Sequence, residues 1–323
     1  ARCSRSHMAK TQMERVIMER EKSGKRQYSG FERKEHQQGY IFLTPAIIIL
    51  AIFIGLSVLY VVYLSFHKVN LFTKEYTFVG FENYKRVFTD SIARIGLKNT
   101  LMFSVIVVPI QTVLALIISS VLNSGIRGKY FFRTVYFLPT LTSSSALTMI
   151  FMFMFNVTGP INKLLVDTHI LSKGINFLQE PQFALKVIMM MNIWSTIPMY
   201  TTMYLASLQD LPASMYEAAD IDGAGSLKKF FYITVPYLKP ITTYVLLTSV
   251  IGTLQMFDQA YIFSNGSGGP ENSTLTVSLM IYRYAFGTQN AMGYAATLAI
   301  ILAVIIMLIS RLAEKANGEE RVY

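Results

Sequence analysis

The stretch "EAADIDGAGSLKKFFYITVPYLKP", residues 217–240, differs from everything around it. It holds three acidic residues, three lysines, two prolines and two glycines, while long apolar runs lie on either side. Locally it predicts two short helices around a corner. Pro212 suits a helix start, where its missing N–H would have had no partner. Ser214 and Glu217 stand in S-x-x-E spacing, which predicts a reciprocal capping box. Asp222-Gly223 is a turn signal, with glycine supplying a positive φ. Ser226 can cap a second helix over 227–235, which Pro236 weakens or ends. Ala218, Ala219, Ala224 and Gly225 are small enough for another surface to approach closely. Such a knob could pack on its own chain or dock on a partner.

The flanking runs fix the class. The chain has 323 residues, 52% hydrophobic and 15% charged, against roughly 25% charged in soluble proteins. Crossing a bilayer takes roughly 20 helical residues. Six stretches are long enough: 40–66, 101–122, 131–155, 183–208, 241–263 and 291–310. Near-uniform apolar runs with isolated charges argue against the buried helices of a large soluble protein. The expected fold is an all-α membrane protein, a bundle of six transmembrane helices over 40–310, because lipid leaves backbone groups no partner outside their own helix. The 209–240 segment is the loop between spans four and five.

Residues 1–39 form a basic N-terminal tail and 311–323 a short C-terminal one. The mixed-sign N-terminal tail reads as solvated or membrane-surface, not as a nucleic-acid binder. Its opening, "ARCSRSHM", is read as an appended leader and set aside. Cys3 is the only cysteine, so neither a disulfide framework nor a cysteine metal site is expected. No cleavable signal peptide is expected, and the first span serves as its own insertion signal. Lys and Arg number 19 in one alternating set of connections and 10 in the other. The richer set is expected in the cytoplasm, which places both termini and the 209–240 loop there. Of the outward connections, 67–100 reads as a mixed polar segment and 156–183 carries turn signals at Gly159-Pro160 and Pro181. The third, 264–290, reads as a flexible turn region followed by a short interfacial helix.

Catalytic signals are missing. His7, His36, His67 and His169 are the four histidines, and none pairs at metal-ligand spacing. There is no H-E-x-x-H or G-x-S-x-G, and Gly128-Lys129 lacks the rest of a phosphate-binding loop. The chain is therefore expected to be neither an enzyme nor an ATPase, and to hold no cofactor itself. A central Asp in a span costs about 2.5–3.5 kcal/mol, so polar residues there face the interior. Gln255, Asp258 and Gln259 follow i, i+3, i+4 and share one face of a continuous helix. Asn192 and Trp194 lie inside span four, and "TLTSSS" (140–145) follows Pro139 in span three. Amides, carboxylates and aromatic rings hold carbohydrates, which makes Asn192, Trp194, Gln255 and Asp258 a candidate pathway lining. Interhelical hydrogen bonding is the structural alternative.

The residues Glu217, Ala218, Ala219, Asp222, Gly223, Ala224, Phe230, Ile233, Pro236 and Pro240 form a pattern that resembles the coupling-loop motif of ABC importer permeases. "FVGFENY" (78–84), "KNT" (98–100), "FFRTVYFLP" (131–139), "GPIN" (159–162) and "FDQAYIFSNGSGGPENST" (257–274) resemble the sugar-permease branch, as in maltose and glycerol-3-phosphate uptake systems. The likeness covers about residues 40–310. It implies that the loop docks in a cleft of a cytoplasmic ATP-binding subunit and that closure of the ATPase dimer drives alternating access. Glu217 would cap and dock, Gly223 would make the turn, and Ala218, Ala219 and Ala224 would pack closely. Val235 departs from the commoner leucine and Gly225 from serine or another small residue, neither disturbing Glu217 or the corner.

The resemblance also implies a second homologous permease subunit as heterodimer partner, two ATP-binding subunits that carry ATP and Mg, and an extracytoplasmic solute-binding protein. It implies the inner membrane of a bacterium and a saccharide as cargo. The basic balance of the outward connections is compatible with an acidic oligosaccharide. The alternative is a self-sufficient secondary transporter or channel, which would use intramembrane ionisable groups or broken helices. Asp258 is its one ionisable candidate.

Overall fold

The computed structural model describes residues 30–70, 75–124, 128–287 and 291–317. Most of the basic N-terminal tail and the last residues of the C-terminal one lie outside them. The chain divides into two compact units, residues 1–60 and 61–323. In the first, helix α1, Gly30–Leu50, runs on through a π-helical turn, Ala51–Leu56. The helical run continues as α2, Ser57–Ser65, and its stretch Gln38–Ser65 is long and apolar enough to span a bilayer.

In the second unit, β1 (His67–Asn70) and β2 (Glu75–Phe78) form an antiparallel hairpin that pairs His67 with Phe78. An all-α chain was expected, and the hairpin corrects that. Helices α3 (Glu82–Thr89) and α4 (Ser91–Asn123) follow. The Asp90 side chain caps α4, accepting from Ile92 N–H at 2.9 Å, as suits a carboxylate at a helix N-terminus. Then come α5 (Lys129–Leu141), α6 (Ser144–Met154), α7 (Pro160–Asp167) and α8 (Pro181–Gln209). Helix α4 is the centre of the unit, packing most extensively on α8. Phe103 and Val107 of α4 and Ile188 of α8 share the main core.

Among the described residues, four helices are long and apolar enough to cross a membrane, or five if one bent pair counts as a single span. The expected third span is that pair, bent by 107° between α5 and α6. Pro139 removes a ladder donor near the bend. Ser143 Oγ accepts from Ala146 N–H at 3.2 Å and caps α6. Helix α8 is 29 residues long, about 43 Å at 1.5 Å per residue. It falls outside the four, and Lys186 and Asn192 are the most polar residues in its otherwise apolar stretch.

The expected fifth span is also interrupted. It consists of α12 (Lys239–Leu254) and α13 (Asp258–Ser264), separated by a non-helical break. Thr276 Oγ donates to the Met256 carbonyl at 3.0 Å inside this break, answering a group the helix no longer pairs. The last elements are α14 (Val277–Phe286) and α15 (Met292–Asn317). Helix α14 is packed into the protein. Val277, Leu279 and Met280 are fully buried, and the helix packs on α15 and α4. The residues before it are folded into turns, with Gly266, Gly268 and Gly269 all at positive φ.

Candidate functional site

Between α8 and α12 the chain folds into α9 (Ala213–Ile221), α10 (Ser226–Lys229), a π-helical turn (Phe230–Thr234) and α11 (Val235–Tyr237). The corner at its centre is a complete left-handed helix cap. Gly223 adopts φ +70°. Its N–H donates to Asp220 O at 3.1 Å, and Ala224 N–H donates back to Ala219 O at 2.8 Å. Those two bonds are the 5→2 and 6→1 pair of a Schellman motif. Asp222 is the C-cap of α9. Lys229 then closes the corner with an ion pair to Asp220.

The predicted caps are not made. Pro212 is the N-cap of α9, which puts Ser214 and Glu217 inside the helix instead of at its boundary, and no side chain caps that end. Gly225 precedes α10 and displaces Ser226 into the helix. Pro236 does not end the second helix at once. A π-turn widens the ladder before it, so the missing proline N–H is absorbed, and the break follows at Leu238.

The segment has two faces. Tyr216 hydroxyl lies 2.8 Å from Thr234 Oγ and ties α9 to the π-turn. Ala219 and Ala224 are half-buried on that side. Glu217, Ala218 and Asp222 point outward together with Ile221, Leu227, Phe231 and Tyr232. Ile221 is 88% and Tyr232 81% exposed. Large apolar side chains so exposed around a rigid corner mark a surface for another protein. Beneath lies a groove of about 740 Å³ lined by Ile117, Val121, Leu208, Tyr216 and Phe230.

Of the predicted pathway residues, Asn192 and Trp194 lie on α8, while Gln255 and Asp258 flank the break between α12 and α13; α6 packs on both α8 and α13. Trp194 is half-exposed, its ring 5.7 Å from that of Phe151. Asn192 is buried, and its Oδ1 has no hydrogen-bond partner among the described residues. Gln255 and Asp258 are exposed at the break between α12 and α13. Because the helix is interrupted there, Gln255, Asp258 and Gln259 are not one face of a continuous helix. Asp258 instead begins α13.

In three of the other resemblance motifs, polar side chains act as structural pins. Asn83 Nδ2 donates to Ser65 O and His67 O at 2.9 and 3.1 Å. Asn99 Nδ2 donates to Asn272 O and Leu275 O at 2.9 and 3.0 Å. Thr100 Oγ accepts from Val277 N–H at 3.0 Å. Asn162 bonds Asn156 O and Ile175 O, and accepts from Ile175 N–H. Another cluster joins α3, α14 and α15. Tyr294 hydroxyl donates to Asp90 Oδ2 at 2.9 Å, and the Arg86 guanidinium lies 4.3 Å from the Tyr294 ring centre. Burial first, then the Asp90 charge, pushes the Tyr284 phenol above its usual range. Sequence reasoning passed over Gln111, which is fully buried in α4 and bonded at both ends.

Helices long and apolar enough for a membrane, with exposed apolar side chains around the Gly223 corner, define a helical membrane protein with a surface suited to another protein. Residues 111–315 match the family described as "Binding-protein-dependent transport system inner membrane component". The chain belongs to that family. It is 35% identical to the lactose transport system permease protein LacF of Rhizobium radiobacter, over 91% of this chain and 98% of that one. It is 30% identical to the arabinooligosaccharides transport system permease protein AraP of Bacillus subtilis, over 86% and 88%. A chain of the bacterial alginate ABC transporter, solved in complex with an alginate pentasaccharide-bound periplasmic protein, shares its fold. The TM-score is 0.72 at 22% identity, covering 88% of this chain and 95% of that one.

Proposed function

We propose that this chain is the permease subunit of an ATP-driven importer of a saccharide, working by alternating access. The observation that carries the reading is the Gly223 corner. It is a solvent-facing corner set between helices α8 and α12, in a chain whose family is defined by transport. ATP and Mg belong to partner subunits, and the chain itself catalyses no reaction. Two ATP-binding subunits, a second homologous permease and an extracytoplasmic solute-binding protein complete the assembly. With six membrane crossings, counting α8 and the two interrupted helices, both termini and the coupling segment lie on one side, and the Lys and Arg bias favours the cytoplasm for that side. Glu217, Ala218, Asp222 and Gly223 then face the ATP-binding subunit, and Pro236 relays motion into α12.

The sugars named for the relatives support an oligosaccharide cargo, and the basic outward connections suit an acidic one. Asn192, Trp194, Gln255 and Asp258 supply a buried amide whose oxygen has no partner among the described residues, an aromatic face, a second amide and a carboxylate. These are groups that bind sugar hydroxyls. Interrupted helices would also suit a self-sufficient secondary transporter, and ATP dependence separates the two. The assembled complex in proteoliposomes should take up a labelled oligosaccharide only with its binding protein outside and ATP inside. Uptake by this chain alone, driven by an ion gradient, would overturn the proposal.

A further inference from the structure

Three helices meet at Gln111. Its side chain, on α4, is fully buried. Nε2 donates to Ser249 Oγ of α12, and Oε1 accepts from Thr196 Oγ of α8 at 2.6 Å. Thr196 Oγ also lies 2.8 Å from Asn192 O, within its own helix. Further along α4, Ser104 Oγ accepts from Thr253 Oγ of α12 at 2.9 Å. Together the two contacts make a polar seam between α4 and α12, with α8 joined to it through Gln111.

The joined helices are the two arms of the coupling segment. Helix α8 ends at Gln209, where the chain enters that segment, and α12 begins at Lys239, where it leaves. Each packs extensively on α4 and less on the other, where Tyr204 and Leu208 of α8 share a buried apolar cluster with Val245 of α12; the polar tie through Gln111 adds a directional restraint to that apolar contact. Packing of apolar side chains in lipid sets little direction, because the tails are as apolar as the helices. An amide carries a donor end and an acceptor end that diverge within one plane. With both ends used, it fixes axial register and rotation of two helices at once.

We propose that Gln111 is a positioning residue that clamps α8 and α12 to α4, so that both arms of the coupling segment move as one lever. This rests on the reading of residues 213–237 as the joint to an ATP-binding subunit. Leucine at 111 would fill similar space without either bond, and valine at 196 would cut only the α8 arm.

The test uses the complete complex with its partner subunits, in a background carrying Cys3→Ser. Spin labels are placed at exposed Gln209 and Tyr244, near the segment ends of α8 and α12. Their separation is read by pulsed electron resonance without nucleotide and after trapping with Mg-ATP and vanadate. In the wild type the separation should hold within about 1 Å, at the lower edge of ordinary helix shifts. In Gln111→Leu and in Thr196→Val it should broaden and shift by more than about 2 Å on trapping. Thr196→Val keeps the glutamine and the side-chain volume, so it decides the matter even where Gln111→Leu assembles poorly. A wild-type separation that changes by several ångströms, or variants as narrow as the wild type, would overturn the clamp. Absence of ATP-binding subunits from the purified complex would overturn the coupling reading beneath it, a failure recognisable before any distance is measured.

Discussion

Replacing Gly223 by alanine perturbs one torsion and little else. The residue sits at φ +70°, and no heavy atom lies within 4 Å of the position an added Cβ would take. The cost is therefore the left-handed backbone penalty alone, about 1–2 kcal/mol, which lowers the equilibrium constant for forming the corner about 5- to 30-fold. If an ATP-binding subunit captures only the cornered form, its apparent affinity falls by up to that factor. Gly225 supplies the control. It also faces open space, but at an ordinary φ of −67°, so Gly225→Ala should stay within about twofold. Gly223→Asn should fall between the two, since asparagine tolerates the left-handed region better. The assay is the dissociation constant of the solubilised chain for the purified ATP-binding subunit. Equal affinities for Gly223→Ala and Gly225→Ala would refute the claim that the corner is what the partner recognises.

Other sites make separate predictions. Asn162→Ala removes three buried hydrogen bonds in the 156–175 connection and should cost about 1–3 kcal/mol per group left unpaired, seen as a lower unfolding midpoint in detergent. Gly293→Ala would put a Cβ 1.8 Å from His67 O, backbone that cannot step aside. It should destabilise the α15–β1 contact by about 1–3 kcal/mol, and proteolysis within 61–78 would report it. Trp194→Ala should lower uptake of the labelled oligosaccharide while leaving the complex assembled; loss of the complex would make the Phe151 contact structural. The Tyr284 phenol is held above its ordinary value of 10.0, so the folded state favours its neutral form. Its stabilising contribution is whole below that ordinary value and is lost as pH rises through the folded one. Thermal stability should be flat in this respect from pH 7 to 9 and fall above about 10, less steeply in Tyr284→Phe.

Much of this was legible in the sequence, and the exceptions share a cause. The Gly223 corner could be read because its signal is local: only a residue free to take positive φ continues from that helix end. The caps at Ser214 and Ser226 were misread because each helix begins one or two residues earlier than the serine needs. Asn83, Asn99 and Asn162 stood inside recognisable motifs, yet their acceptors lie up to 176 residues away in the chain, beyond any spacing rule. The break at 255–257 has no proline or glycine to announce it. It is held open from outside by Thr276, so a continuous helix was the natural expectation. Gln111 left a signal, a lone amide in an apolar run, which points to the bundle interior. Its two partners, on helices α8 and α12, could come only from the structure.

The most direct test of the account is an affinity purification of the chain from its native membrane, with and without Glu217 and Gly223 replaced, and identification of what comes with it. The account predicts that a second permease and an ATP-binding subunit co-purify, and that the replacements release the ATP-binding subunit alone. A chain that arrives by itself and still transports without ATP would contradict it.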